Sequence, residues 1–494
     1  MSNRYDGKIL WVVLLLTASV IVINGITTEV SLGDESHHYR FTENIYWSGK
    51  RVPFDPLYKS GNPPGFSYNT PPLWHIILTY LWRITGGISQ AVAQIYHVLF
   101  FLLLVWLTYF LAKETVGKEV SFFSAFIIAT VPMVVSFSTL LYMDIPMTAL
   151  STLSFYLILK KRYIEAGISS GLAYLTKFNA GFFFPGFLFL ILWNERKKGW
   201  DVLKNVTFFT LPILLIHIPD RYWRTQNITG QLEQSNIKWV LQRVSSGFWR
   251  VWGREYLNSY LTNPIDLIKY FGLPFLFLLF FYLFFMRRWD RKSATLWVPV
   301  ISYLIPFIII FGVKTDIRYL IPILPFLILL SIESVLSLGK RWRFVMISVC
   351  ILQFVSTTYY VHQKRQISPE VKEGFEYIKK KVPEEALILY PEENLLMYGQ
   401  RRMIWSGVGA LEGYQFAKEG LYSLLWAANH KEMEHILKAN HIDHILIKKS
   451  RIYDDSEDYH LGGYPQSFVE KLFYLDGWVK IFENPGLALW RRGP

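Results

Sequence analysis

Two adjacent carboxylates, Asp34 and Glu35, follow directly on a long apolar run, in Leu32-Gly33-Asp34-Glu35-Ser36-His37-His38-Tyr39. Ionisable side chains at the edge of a lipid-crossing segment are costly and mark function by default. A carboxylate placed there is equipped to take a proton from an attacking hydroxyl. Further charges share the setting, each at the end of an apolar run. They are Asp144 in Leu141-Tyr142-Met143-Asp144-Ile145-Pro146, Lys177 in Leu175-Thr176-Lys177-Phe178, Arg221 at the head of a long polar loop, and Arg318-Tyr319 ahead of Pro322 and Pro325. A guanidinium donates two parallel hydrogen bonds to a phosphate and an ammonium acts as a point charge. Acids and cations together therefore suit a step in which a hydroxyl loses a proton while a phosphate gathers charge.

Each residue also has a plainer role open to it. Asp34 and Asp144 could cap helices, Lys177 could snorkel, and Arg318 could anchor at the interface. Arg221 heads a stretch in which Arg243, Arg250 and Arg254 interleave with Trp239, Trp249 and Trp252, which suits an amphipathic helix on lipid headgroups. His37 and His38 are sequence neighbours whose side chains diverge on a helix or strand, a poor spacing for a shared metal ion. A divalent ion held by Asp34 and Asp144 is the weaker alternative to no metal.

The elements that must position these residues follow from composition. The chain has 494 residues, 52% hydrophobic, 17% aromatic and 18% charged, too apolar for a soluble protein of this length. Apolar runs near 9–26, 91–112, 119–139, 145–159, 163–176, 179–193, 205–218, 265–286, 294–313, 318–338 and 343–361 predict about eleven transmembrane helices, several of them short for a ~30 Å core. The net charge of +13 falls in short clusters between these runs, the pattern of cytoplasmic loops rather than of nucleic-acid binding. Cys350 is the only cysteine, so no intramolecular disulfide forms. The first run lacks a small-residue cleavage site and reads as a retained span, not a signal peptide. No phosphate-cradling glycine loop or nucleophile elbow occurs.

Orientation follows from the positive-inside rule. The segment Pro71-Pro72-Leu73-Trp74-His75-Ile76-Ile77-Leu78 is ambiguous between a span and an interfacial helix. As an interfacial helix it places eighteen basic residues of the short inner loops inside, Lys113, Lys118, Lys160, Lys161, Arg162 and Arg287 among them. The short outer loops then hold only Lys177, Lys314 and Arg318. The N-terminus is then cytoplasmic, and Asp34, Glu35, Asp144, Lys177, Arg221, Asp316 and Arg318 all reach the outer side. Beyond 362 the pattern changes. A helix is predicted over 371–382 and another over 431–439, with strands over 386–390, 444–447, 478–482 and 487–490. The predicted fold class is an all-α polytopic membrane domain over 1–361, with outer loops 27–90 and 219–264. A small extracytoplasmic α/β domain over 362–494, about 130 residues, completes the chain.

Five short motifs carry a resemblance to a known family. Asp34-Glu35-Ser36-His37 after the first span, Pro71-Pro72-Leu73, Asp144-Ile145-Pro146, Leu175-Thr176-Lys177 and Arg318-Tyr319-Leu320-Ile321-Pro322, in this order and topology, resemble the GT-C membrane glycosyltransferases. The nearest likeness is to the family 39 group of protein O-mannosyltransferases and lipid A aminoarabinose transferases, over residues 9–340. The resemblance implies an inverting transfer from a polyprenyl-phosphate sugar to a hydroxyl acceptor on the outer face of the cell membrane, with no obligatory metal. It makes Asp34 the catalytic base and Glu35 the residue that holds the acceptor or orients Asp34. Lys177 and Arg318 become contacts to the donor phosphate, and His37, Asp144, Arg221 and Tyr319 further substrate-binding candidates. The expected partners are the lipid-linked sugar, the hydroxyl acceptor and the bilayer. Some features depart from the family: Lys177-Phe178 stands where Lys-Gly is usual, there is no room for a β-trefoil insert, and the Trp-Trp-Asp signature of oligosaccharyltransferases is absent. The acceptor therefore stays open between protein, lipid and glycan. The alternative from another class is a transporter or flippase of a lipid-linked sugar, which would place its charges near the midplane of broken spans.

Overall fold

Each apolar run marked by hydropathy is helical in a computed structural model of the chain. The structure describes residues 5–28, 34–48, 71–196, 199–227, 264–286, 290–311, 317–364, 366, 368–383, 386–390, 402–404, 429–439, 441–453 and 464–493. Three described helices are long and apolar enough to cross a membrane, Gln90–Thr115, Trp200–Asp220 and Lys340–Gln363. The pair Lys118–Thr130 and Pro132–Thr139, bent by 55°, makes a fourth if it is one broken span. Several other runs are divided by proline, glycine or 3-10 turns into pieces shorter than a ~30 Å core demands, so length and composition fix fewer crossings than the about eleven expected. Asp316 and most of the loops 49–70 and 228–263, including Arg243, Arg250 and Arg254, lie outside the described residues.

The described chain forms two compact units. The first comprises Met1–Ile26, Thr70–Trp74 and Ala93–Lys364, and the second Thr27–Asn69, His75–Val92 and Arg365–Pro494.

The first unit is helical. It contains α1 (Tyr5–Thr27), α4 (Gln90–Thr115), α5 (Lys118–Thr130), α6 (Pro132–Thr139), α7 (Asp144–Leu159), α8 (Tyr163–Thr176), α9 (Phe184–Glu195) and α10 (Trp200–Asn227). Next come α11 (Pro264–Phe271), α12 (Leu273–Phe281), α13 (Arg291–Phe311), α14 (Leu324–Ser331), α15 (Ser334–Ser337) and α16 (Lys340–Lys364). Side chains that pack these helices are small or aromatic. On α8 a Gly167-x-x-x-Gly171 pattern faces α10, and any Cβ on Gly167 would strike the Phe209 carbonyl, the close backbone approach that small residues permit in membranes. Between α7 and α8, Ser154 and Ser170 share a 2.7 Å hydrogen bond and Ser169 donates to the Leu150 carbonyl at 2.8 Å.

Breaks in helices leave backbone groups that must be satisfied inside an apolar interior. Pro132 ends α5, and the Thr130 carbonyl there accepts from Gln353 of α16 at 3.1 Å. At the far end of α6, His97 and Gln94 of α4 meet the carbonyls of Phe137 and Ser138 at 3.2 and 2.8 Å. Asn24 of α1 donates to the Thr358 carbonyl of α16 at 2.8 Å. Polar residues inside the apolar spans thus answer the carbonyls freed at the ends of α5 and α6.

In the second unit, α2 (Asp34–Ser48) and α3 (Leu73–Ile84) lie side by side. His38 meets His75, Thr79 donates to the Thr42 carbonyl and Arg83 donates to the Tyr46 carbonyl, at 3.1, 3.2 and 3.1 Å. Each step advances four residues on both helices, so the two run parallel. The Tyr39 and Trp82 rings stack between them, centroids 6.2 Å apart. With 12 residues, α3 is about 18 Å long, too short to span a bilayer core.

The tail is α/β. A five-stranded sheet has the order β2-β1-β3-β7-β6, from β1 (Leu387–Leu389), β2 (Arg402–Ile404), β3 (His444–Lys448), β6 (Trp478–Glu483) and β7 (Leu487–Arg492). β1 is parallel to β2 and β3, while β7 is antiparallel to β3 and β6. Period-two alternation splits β1, β3 and β7 between two cores. Ile388, Leu446, Leu487 and Leu489 meet α17 (Pro369–Lys381) through Val371, Phe375 and Ile378. Leu389, Ile445, Ile447 and Trp490 meet Met433 and Leu437 of α18 (His430–Ala439) and Phe468 and Leu472 of α19 (Gln466–Leu472). The expected helices and strands are present. Four elements went unexpected: β2, α19, and the two-residue strands β4 (Ile452–Tyr453) and β5 (Tyr464–Pro465). All are too short to show periodicity.

His444 gives the tail an acid sensitivity. It is 4% exposed, and neither ring nitrogen has a hydrogen-bond partner among the described residues. Burial lowers its pKa below the usual 6.5, opposed by Asp443 and reinforced by Arg491. The unfolded chain then binds the extra proton first, so this contribution is whole above pH ~6.5 and shrinks as pH falls below it. Glu483, gripped by Lys449 and Lys480 at 2.8 and 2.6 Å, has its carboxyl lowered to about 2. Its stabilisation is lost in a separate, lower window beneath its ordinary 4.5. Amide exchange of β3 and β7, corrected for intrinsic rates, should show less protection at pH 5.5 than at 7.5. His444→Leu should flatten that difference, and an unchanged difference in the variant would remove His444 as its source.

Candidate active site

Asp144 opens α7, Lys177 closes α8, and Arg318 with Tyr319 lies in the 3-10 segment Ile317–Ile323 that leads into α14. These four, distant in sequence, come together in the first unit. Lys177 Nζ donates to both carboxylate oxygens of Asp144, each at 2.7 Å. Asp144 is fully buried, while the Lys177 side chain is 18% exposed. The ammonium also lies 4.6 Å from the centroid of the Tyr319 ring. The Arg318 guanidinium sits over the same ring at 5.1 Å and over Tyr142 at 4.7 Å. Such cation–ring contacts are worth about 0.5–2 kcal/mol each, more when desolvated. One carboxylate and two cations are thus ordered around two phenol rings, with Arg318 only 8% exposed.

Local backbone explains the placement. Lys177 is the extended residue after α8, with φ −156° and ψ 128°, and the 3-10 turn Phe178–Phe183 follows before Pro185 starts α9. The break is satisfied by one hydroxyl of α13: Ser302 Oγ donates to the Phe182 carbonyl at 2.7 Å and accepts from the Gly186 N–H at 2.9 Å. A Cβ on Gly186 would collide with Ser302. Pro322 and Pro325 divide the Arg318 segment in the same way, a 3-10 stretch giving way to a helix with proline in its first turn. Irregular backbone at membrane depth is tolerated where protein buries it or a cavity lies beside it.

The structure corrects one expectation. Asp144 does not cap α7: Met143 holds the cap position, with no side-chain cap bond. The carboxylate turns to Lys177 instead, because a buried charge is worth far more paired than spent on one N–H. Nor does Lys177 snorkel to water. Tyr142 is a functional candidate missed from sequence, its only signal being a phenol two residues ahead of Asp144. The hydrogen-bonded pair of His38 and His75 is another. Asp34 and His37 belong to the first turn of α2, but their side chains, like that of Arg221 in α10, lie outside the described residues. Glu35, 1% exposed, belongs to the second unit. No cluster of three or more metal-ligand side chains occurs among the described residues. Both oxygens of Asp144 are engaged by Lys177, so a cation there would have to displace the lysine.

Helices broken at charged corners, followed by a small α/β tail, make a fold similar to that of ArnT and of an archaeal oligosaccharyltransferase. Residues 69–223 match the family model for dolichyl-phosphate-mannose-protein mannosyltransferase. ArnT from Cupriavidus metallidurans bound to undecaprenyl phosphate is similar in structure at 11% identity and a TM-score of 0.70, covering 98% of this chain and 98% of that one. Its apo state is similar at 12% identity and 0.66, covering 99% and 98%. The apo oligosaccharyltransferase of Archaeoglobus fulgidus is similar at 13% identity and 0.59, over 90% of this chain and 70% of that one. No curated protein matches the chain at a significant level. At these identities the likeness is one of fold.

Lys177→Met would leave Asp144 buried without its counter-charge, a loss of about 3 kcal/mol. Thermal unfolding of the purified protein in detergent should show it. Asp144→Asn/Lys177→Met should recover most of the loss. Equal melting of Lys177→Met and wild type would mean that the pair contributes no stability.

Proposed function

We propose that the chain is an inverting glycosyltransferase that moves a sugar from a polyprenyl-phosphate donor to a hydroxyl acceptor on the outer face of the membrane. The observation that carries this proposal is the gathering of Lys177 and Arg318 on one tyrosine ring at the corners of broken helices. Cations fixed there offset the charge that collects on a departing phosphate, and preorganised charge is often the largest catalytic contribution. The relative that shares the fold over its whole length was solved with undecaprenyl phosphate bound, and a second Archaeoglobus fulgidus structure holds dolichol phosphate and an inhibitory peptide. These are ligands of those proteins, and they suit the chemistry assigned to the site here.

In the proposed step the acceptor oxygen attacks the anomeric carbon as the bond from that carbon to the phosphate oxygen breaks. The bonding electrons leave with the phosphate, and the acceptor proton passes to the Asp34 carboxylate. Asp34 stands in the first turn of α2. An ordinary carboxylate, with a pKa near ~4, is a weak base, adequate when proton transfer is late in an oxocarbenium-like transition state. Glu35 holds the acceptor or orients Asp34, and His37 and Arg221 complete the substrate contacts. Transfer needs no obligatory metal, because Lys177 and Arg318 supply the charge a metal would otherwise bring. The topology that goes with this function has about eleven crossings, a cytoplasmic N-terminus and an extracytoplasmic tail.

Asp34→Asn should lower sugar transfer by about 10²–10⁴-fold while membrane insertion and melting temperature hold. Mass spectrometry of lipids, glycans and secreted proteins from cells with and without the chain should reveal the acceptor that loses a sugar. Normal turnover by purified Asp34→Asn would refute the base assignment. Movement of unaltered lipid-linked sugar across vesicles, with no transfer, would favour the flippase.

A further inference from the structure

The pairing of Lys177 with Asp144 raises a difficulty for a phosphate site, because a carboxylate already occupies the ammonium. We propose that Asp144 is a resident competitor for Lys177, which weakens the hold on the lipid phosphate and so allows the spent carrier to leave. This rests on Lys177 and Arg318 being phosphate contacts. The geometry supports a competition with one fixed and one movable member. Asp144 is fully buried at the start of α7, and its carbonyl accepts from Thr148 Oγ1 at 2.6 Å, one turn along. Lys177 stands on an extended residue between a helix and a 3-10 turn, and its part-exposed side chain carries the ammonium on a long flexible stem. Part of the Lys177 side chain is open to solvent, while the Asp144 side chain is fully buried. An ammonium has three donors, and Asp144 accepts from it through both oxygens. An arriving phosphate therefore meets a lysine whose field is largely cancelled at short range. Arg318, stacked on Tyr142 and Tyr319, remains the stronger anchor.

The physical need is turnover. Donor and product share the lipid phosphate, a singly charged diester in the donor and a more highly charged monoester in the product, so cations that stabilise the departing group also hold the product. A full ammonium beside a full guanidinium would hold the product as firmly as the departing group is stabilised. A built-in carboxylate relaxes that hold without removing the lysine.

The test measures binding of undecaprenyl phosphate to the full-length protein in nanodiscs, alongside steady-state and single-turnover transfer. Asp144→Asn keeps the shape of the side chain and removes its charge. It should bind undecaprenyl phosphate at least about tenfold tighter, a gain of ~1.4 kcal/mol, with a lower KM, a lower steady-state kcat and an undiminished first turnover. Asp144→Ser, a smaller neutral replacement, should shift binding the same way and guards against misfolding of the first variant. The double variant Asp144→Asn/Lys177→Met should lose the gain. Unchanged or weaker binding by both neutral variants, with wild-type melting, would overturn the proposal and leave Asp144 a mere support for the lysine. If Lys177→Met binds as tightly as wild type, the phosphate role of Lys177 fails and the competition fails with it. Asp34→Asn reports on the base separately.

Discussion

In an apolar interior, every carbonyl freed by a helix break and every charge drawn out of water must find its partner within the protein. Much of the first unit follows from that constraint. Asp144 is buried and its two oxygens meet one ammonium; the Phe182 carbonyl and the Gly186 N–H meet one hydroxyl; the Thr130 carbonyl meets Gln353. The candidate site arises where breaks and charges coincide. Lys177 can reach Asp144 because α8 ends one residue before it, and Arg318 can lie over two rings because its segment winds as a 3-10 turn before α14 begins. Uninterrupted helices through 163–195 and 317–331 would project these side chains along other directions.

The two units are stabilised by different physics. The first depends on close-packed small residues, aromatic rings and a few obligatory polar bonds, since lipid supplies no hydrophobic drive between helices. The tail has a water-driven core on both faces of a sheet, with exposed ion pairs such as that of Lys449 and Glu483 adding little by themselves. Between these extremes stand α2 and α3, locked by a ladder of contacts four residues apart. That ladder fixes the register of the helix on which Asp34 and Glu35 sit.

Hydropathy made the positions of the helices legible, because a membrane demands long apolar runs whatever their packing. It could not show the breaks: Gly186 and Pro185 look unexceptional until Ser302, on another helix, is seen beside them. The acid at 144 and the lysine at 177 were each legible as candidates. Their pairing was not, since nothing in either motif specifies its partner, and the capping role open to Asp144 misled for the same reason. In the tail, alternation over 444–447 and 487–490 was clear enough to give strands, while β2 and β4 offer too few residues for any period to register. His38 was visible only as the neighbour of His37, and His75 only within the segment 71–78, because a parallel helix pair leaves no local signature.

Ser302 and Gly186 carry an evolutionary consequence. One hydroxyl serves two backbone groups, and it fits only where the facing residue has no side chain. Neither position can drift alone: a larger residue at 186 expels the serine, and an apolar residue at 302 strands a carbonyl beside the corner that holds Lys177. Across related sequences the two should therefore be inherited as a couple. Where that couple is replaced, the replacement marks a lineage whose Lys177 corner has been rebuilt.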